Sequence, residues 1–236
     1  MTDPPNRLLP QRGVREPFNA ASHLLGALLA LAGGIYLVVA SAGEPWRTAS
    51  FAIYALASVA LFTASTLLHA LPLDTLPLDT LAPPASAGSW RQRADHAAIF
   101  LLIAGSYTPI TLVTLRGRGD GLGWLLFGGV WVLAFAGVVF KILWFRAPRW
   151  LSTTLYVVLG WTAVLAIGPI VAAMRPGGVA LLIAGGLLYT VGAVIYARKW
   201  PDPAPTRVGY HGLWHLLVLA GWGAHYAMLA LYVLPS

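Results

Sequence analysis

Long apolar runs alternate along this chain with short breaks that carry proline, glycine and charged residues. A helix needs about 20 mostly apolar residues to cross a lipid bilayer. Seven runs reach that length, and each predicts one membrane-spanning helix. They cover approximately residues 18–41, 50–71, 95–115, 122–143, 151–173, 178–197 and 210–233. The pattern therefore predicts an all-α integral membrane protein, with a seven-transmembrane helix bundle as a single domain over residues 18–236.

Two polar segments lie outside the apolar runs. Residues 1–17 are polar and basic, and the run after them is too long for the core of a signal peptide, so it predicts a retained helix. Residues 72–92 form the longest break and are rich in proline and alanine. We expect this break to be a loop on the same side of the membrane as the N-terminal segment, because two spans separate them.

The basic residues predict the orientation of the chain. With the N-terminus in the cytoplasm, 11 of the 15 lysines and arginines fall in cytoplasmic segments, which leaves 4 in outer loops. Membrane proteins retain positive charge on the cytoplasmic side. We therefore predict a multi-pass protein of the cell inner (plasma) membrane, with a cytoplasmic N-terminus, a cytoplasmic loop over 72–92 and an outside C-terminus.

Composition supports a membrane protein and argues against nucleic-acid binding. Hydrophobic residues make up 58% of the chain and charged residues 10%, whereas a soluble domain carries about 25% charged residues. The net charge of +7 comes from short clusters between apolar runs, not from one continuous face, so no nucleic-acid partner is predicted. Cysteine is absent, so a zinc-like site would have to use His, Asp or Glu.

Several polar residues fall in one layer of the predicted bundle. His69 ends the second helix, Asp95 begins the third, and His211 and His215 begin the seventh, so all four lie near the cytoplasmic side. Ionisable residues at membrane depth are costly and usually mark a functional site. His225 lies roughly 15 Å further along its helix, at 1.5 Å per residue, and we interpret it as a hydrogen-bonded core residue.

The spacing of these residues predicts a zinc site. His211 and His215 are one helical turn apart on one face, and His69 completes a three-histidine set that leaves the fourth position of zinc to water. Zinc lowers the pKa of that water to about 7. Asp95 could take its proton or accept a hydrogen bond from an imidazole, and Ser65 could hydrogen-bond the water or an oxyanion. This chemistry suits hydrolysis of an amide or ester, and a site near the headgroups suits a lipid.

Each residue also has a structural interpretation. A histidine pair at a helix end can cap the backbone or face water. Ser65 can bond a carbonyl of its own helix. Asp95 can cap the start of its helix or pair with Arg91 and Arg93. The shared membrane layer favours the metal site over these separate interpretations.

The start of the first helix adds a second polar group. Glu16, Asn19 and His23 share one helix face, and Pro17 suits the first helical position. We favour a capped helix start or a structural polar network; the alternatives are support for the metal ligands from behind, or a lid over the site. His96 is expected to face the loop or to act as a capping residue.

These residues form motifs that resemble the hemolysin III family, the bacterial branch of the progestin and adipoQ receptors. The similar segments are Glu16–His23, Ser65–His69 with its Ser-x3-His pattern, Asp95–Pro109, and His211–His215 with its His-x3-His pattern. They cover nearly the whole chain in the order that the family shows. The resemblance implies a seven-helix bundle with a cytoplasmic N-terminus and a zinc ion near the cytoplasmic side.

The resemblance also implies roles and a choice of functions. His69, His211 and His215 would be the zinc ligands, and Asp95 and Ser65 would contact the zinc-bound water. The related receptors and alkaline ceramidases imply hydrolysis of a lipid amide, and another view of the family is a role in membrane-lipid homeostasis. Three hypotheses follow: a zinc hydrolase with a membrane lipid as substrate, a non-enzymatic membrane sensor with structural zinc, and a pore-forming cytolysin.

Overall fold

The computed structural model describes residues 14–71, 90–205 and 207–235. Within these ranges seven helices are long and apolar enough to cross a membrane, as predicted. They are α1 (Pro17–Ala40), α2 (Pro45–Ala70), α3 (Trp90–Arg118), α4 (Leu122–Leu143), α5 (Arg149–Ala173), α6 (Pro176–Arg198) and α7 (Gly209–Val233). Most of the predicted N-terminal segment (1–13) and of the predicted long loop (72–89) lies outside the described residues.

Two helices begin earlier than the apolar runs indicated. α2 begins at Pro45 and α3 at Trp90, each about one turn before the predicted start. Proline suits the first helical position, and tryptophan and arginine suit the membrane interface, so polar and aromatic turns extend each apolar run. Asp95 consequently lies in the second turn of α3. Its interpretation as a capping residue at the helix start is wrong.

Three helices depart from regular α-helical geometry inside the membrane. In α3 the α-helix ends at Pro109 and continues as a π-helix over Ile110–Leu115. In α5 a 3₁₀ segment, Trp161–Ala166, lies just before Pro169, whose ring cannot donate a hydrogen bond and clashes with the carbonyl four residues earlier. α7 ends in a π-helix over Leu229–Val233.

The helices form a closed ring in chain order. Each packs against its neighbours in the chain, and α1 packs against α7. In the most apolar stretch of α3, 67% of residues are buried, against 22% in α4, so α3 is the most buried of the seven helices. Large apolar side chains such as Leu125 and Leu165 point outward, as lipid-facing residues do. The protein is therefore a multi-pass helical membrane protein.

The alternating direction of the helices sets the position of the site. α1, α3, α5 and α7 begin at one end of the bundle, where α2, α4 and α6 finish. We call this the histidine end, because His69 at the finish of α2 meets His211 and His215 at the start of α7 there.

Candidate metal centre

Three histidines from two helices meet at the histidine end. One ligand nitrogen from each of His69, His211 and His215 lies within 4.8 Å of the other two. The ring centroids are 5.1 Å apart for His69 and His211 and 4.8 Å apart for the other two pairs. His69 and His215 are buried, with 2% of their surface exposed. These three residues could hold a metal ion.

A carboxylate holds the first of these histidines in place. The Nδ1–H of His69 donates to Oε2 of Glu16 at 2.7 Å, and the Asn19 amide donates to the same oxygen at 2.8 Å. The hydrogen bond from His69 is the main reason why the pKa of Glu16 falls to about 2, and Asn19 and Arg15 act in the same direction. With its proton on Nδ1, His69 presents the lone pair of Nε2.

The chain before α1 is fastened to the end of α2 by its backbone. The amide of Glu16 donates to the carbonyl of His69 at 3.0 Å, and that of Arg15 donates to Ala70 at 3.3 Å. Pro17 occupies the first helical position, as predicted, but Glu16 makes no side-chain cap. Glu16 and Asn19 therefore belong to a polar network that reaches His69, one of the two interpretations favoured from the sequence.

His23 lies directly against the cluster. Its ring stacks on His215 with 3.7 Å between centroids, and the edge of Phe62 lies 5.2 Å away. Neither ring nitrogen of His23 has a hydrogen-bond partner within the described residues. The structure thus places a fourth histidine behind the three that could bind metal.

The two residues expected to act on water face the same space. Ser65, one turn before His69 on α2, and Asp95 on α3 both line a cavity next to His211 and His215. Both side chains therefore face the space into which a molecule bound beside the histidines would extend. The structure therefore brings all of the predicted site residues together at one end of the bundle.

The cavity has a volume of about 370 Å³ and runs from the histidines into the bundle. Apolar side chains such as Leu102 and Val218 line much of it, and His225 lies among its lining residues. His225 donates from Nε2 to the carbonyl of Leu182 at 3.2 Å, so it is hydrogen-bonded as predicted. The cavity is a largely apolar chamber, and Asp95 and the three clustered histidines lie at its histidine end.

One residue of the cavity lies elsewhere than predicted, and two others were not predicted to line it. His96 was expected to face the loop or cap a helix, which is wrong: it lies within α3 and lines the cavity beside Asp95. A wide cavity can be lined by consecutive residues of one helix. Lys141 and Arg149 also line it, although the sequence suggested only that they were cytoplasmic positive charges. Their position at helix ends in the same membrane layer as the histidines was the available indication.

The chemistry of the cluster fits a metal cation. Nε2 of His69 and Nδ1 of His215 are buried, and neither has a hydrogen-bond partner within the described residues. A buried nitrogen without a partner is destabilising unless a cation or a donor satisfies it. Ligating imidazoles typically donate their other N–H to a carboxylate, as His69 does to Glu16.

These features define a class: a seven-helix membrane protein with a three-histidine cluster between its second and seventh helices. Within that class the chain belongs to the hemolysin III family, because the family model described as Haemolysin-III related matches residues 12–226. The family indicated by the sequence motifs is confirmed.

Individual relatives agree with this assignment. The chain is 36% identical to Hemolysin-3 of Bacillus cereus over 222 residues, which cover 92% of this chain and 91% of the relative. It is also 36% identical to the Hemolysin-3 homolog of Bacillus subtilis (strain 168), over 91% of this chain and 92% of that protein. Similarity is weaker, 24% identity over 81% of this chain and 73% of the relative, to the human monocyte to macrophage differentiation factor.

Proposed function

We propose that this protein is a zinc-dependent hydrolase that cleaves an amide or ester bond of a membrane lipid. The observation that carries the proposal is the position of the three-histidine cluster, with Asp95 beside it, in an apolar cavity of about 370 Å³ within a membrane bundle. A lipid chain matches such a cavity, and its polar bond would then lie among the ionisable groups at the histidine end.

Zinc is the metal that this ligand set suits best. His69, His211 and His215 would hold it through three nitrogens, and three-histidine sets that leave one position open are typical of catalytic zinc. Zinc bound there would supply Lewis-acid activation of a water molecule and of the substrate carbonyl. Glu16 would keep His69 in the tautomer that presents Nε2 to the ion.

The remaining residues of the site would handle protons and exclude solvent. The Asp95 carboxylate would accept a proton from the attacking water and pass it to the nitrogen or oxygen that leaves. The Ser65 hydroxyl would donate to that carboxylate and orient it. His23, stacked on His215, would limit the rotation of this ring, and the apolar cavity wall would keep bulk water away from the reacting bond.

The experiment that tests this proposal is a turnover assay on purified protein with measured metal content. Wild-type protein with about one zinc per chain should release free fatty acid from at least one member of a panel of N-acyl amides and acyl esters. A His211→Ala, His215→Ala variant should release none. Zinc-loaded wild-type protein that is inert toward the whole panel would reject the hydrolase.

We further propose that the N-terminus is cytoplasmic, that the C-terminus lies outside the cell inner (plasma) membrane, and that the protein acts in membrane-lipid homeostasis. The distribution of basic residues supports this orientation. A reporter that is active only in the cytoplasm, fused after residue 236, should be silent, and the same reporter before residue 1 should be active. The reverse result would overturn the orientation.

A sensor with structural zinc is the second candidate. It is favoured because the three ligands come from two different helices, α2 and α7, which the ion would hold together. Protein that needs zinc for thermal stability but turns over no lipid would favour it.

The third candidate is a cytolysin, suggested by the name of the Bacillus cereus relative, Hemolysin-3. Leakage of liposomes on addition of pure protein would favour that function.

A further inference from the structure

A buried lysine in the cavity has no part in the proposed chemistry. Lys141 lies in the last turn of α4, and only 2% of it is exposed. Its Nζ donates to Oγ of Ser152 on α5 at 2.8 Å and lies 5.5 Å from the centre of the Phe145 ring. An ammonium group has three N–H donors, so two remain for another partner.

Within the described residues, no carboxylate forms an ion pair with this lysine. Among the residues that line the cavity, Asp95 is the only acid, and the structure records no ion pair for Arg149 either within its described ranges. A buried ammonium without a counter-ion is strongly destabilising, and inside a membrane protein it usually marks a pathway or a ligand site.

A second cation, Arg149, lines the same cavity and lies one helical turn before Ser152, the hydrogen-bond partner of Lys141. The guanidinium of Arg149, at the start of α5, lies 4.7 Å from the ring centre of Tyr196 and 5.7 Å from that of Tyr210. It donates to the carbonyl of Tyr196 at 3.3 Å. His96, Lys141 and Arg149 line one cavity, and Lys141 at the end of α4 and Arg149 at the start of α5 both lie at the histidine end.

We propose that Lys141 and Arg149 form a subsite for an anionic group, a carboxylate or a phosphate, carried by a lipid whose hydrocarbon chain occupies the cavity. This inference rests on the proposed function, because it names the class of ligand that would bind in the same cavity. Charge-assisted hydrogen bonds from an ammonium and a guanidinium are among the strongest available to such groups. The apolar walls select an amphiphile over a free ion.

Native mass spectrometry of the full-length protein in detergent can test the subsite, because it resolves bound metal and bound lipid together. The probes are hexadecanoate, hexadecyl phosphate and the uncharged hexadecan-1-ol. Wild-type protein should bind at least one of the two anions about tenfold more tightly than the alcohol. Equal affinity of the wild-type protein for all three probes would by itself overturn the proposal, before any variant is measured. Inorganic phosphate that displaces hexadecyl phosphate at equal concentration would overturn the lipid assignment.

Variants locate the effect. Lys141→Met should lose the preference for anions, about tenfold, with affinity for the alcohol unchanged, and Lys141→Arg should keep it. Lys199→Met is the matched control, since Lys199 is an exposed lysine at the same end of the bundle, and it should bind like wild type. Anion binding by Lys141→Met that equals wild type would overturn the subsite.

A metal-free variant separates this proposal from the hydrolase. His211→Ala, His215→Ala protein should keep the preference for anions, because Lys141 supplies it. If that variant loses the preference while Lys141→Met retains it, the ion binds the anion and the subsite is rejected. Failure to hydrolyse any lipid would reject the hydrolase and leave the anion preference in place.

Discussion

Two histidines of α7 lie ten residues apart along the same helix and have very different surroundings. His215 stacks on His23, contacts His69 and His211, and keeps a buried Nδ1 without a hydrogen-bond partner within the described residues. His225 donates to the carbonyl of Leu182 and meets the edge of Tyr189 at 5.4 Å. Both line one cavity, so location in the membrane does not distinguish them. The contrast teaches that clustering of imidazoles together with unsatisfied ring nitrogens, and not depth alone, distinguishes the candidate metal site.

The largest expected effect is on zinc content, which should depend on the histidines at the start of α7 and not on His225. His211→Ala, His215→Ala protein should contain no zinc, because two of three ligands are gone, and His225→Ala should contain as much as wild type. Elemental analysis of purified protein measures both. Zinc retained by the double variant would show that the cluster does not bind the metal. Zinc lost from His225→Ala would show that His225 is also needed for metal binding.

The next effect concerns the carboxyl group beside the cluster. Asp95→Asn should keep zinc but lower the rate of lipid hydrolysis by about 10² to 10⁴, the range for loss of a general acid–base. Asp120→Asn, which changes an exposed carboxylate in the loop before α4, should leave the rate unchanged. A rate for Asp95→Asn that matches wild type would remove Asp95 from the reaction.

Loss of the carboxylate behind His69 should weaken the metal site without destroying it. Glu16→Gln should lower zinc affinity roughly 10- to 100-fold, as loss of a carboxylate partner of a ligating histidine does. Competition with a chelator measures the change. Glu44→Gln is the matched control, because Glu44 also precedes the proline that begins a helix. Equal affinity in the two variants would show that the Glu16–His69 contact is structural only.

The smallest effect is expected at His225. His225→Leu should lower stability by about 1 kcal/mol, the typical contribution of one hydrogen bond, and should leave zinc content unchanged. His225→Gln keeps a donor and should lose less. Thermal unfolding in detergent compares the three proteins. A change in lipid turnover without a change in stability would instead give His225 a role in the cavity.

The helices and the histidine cluster could be predicted because they depend on simple periodicities. Apolar runs of bilayer length predict spans, and alternating direction then places the end of α2 in the same membrane layer as the start of α7. His211 and His215 share a face through i, i+4 spacing. The position of His69 follows from the topology alone, without knowledge of side-chain packing.

The partners of these residues could not be predicted, because they depend on how helices rotate and approach. Glu16 reaches His69 only because the chain before α1 bonds to the end of α2. α4 is almost uniformly apolar, so its sequence does not indicate which face Lys141 presents to the interior. The position of His96 was misjudged because consecutive residues of a helix were expected to point in different directions, whereas the cavity is wide enough for both Asp95 and His96 to line it.

The three imidazoles also set an order in biogenesis. The second helix delivers one of them early in synthesis, and the other two arrive only with the last helix. A chain that stalls or is cut before the final hairpin has inserted therefore offers a single nitrogen donor to the cation. Acquisition of the ion would report that the seventh helix has inserted and that the bundle has closed.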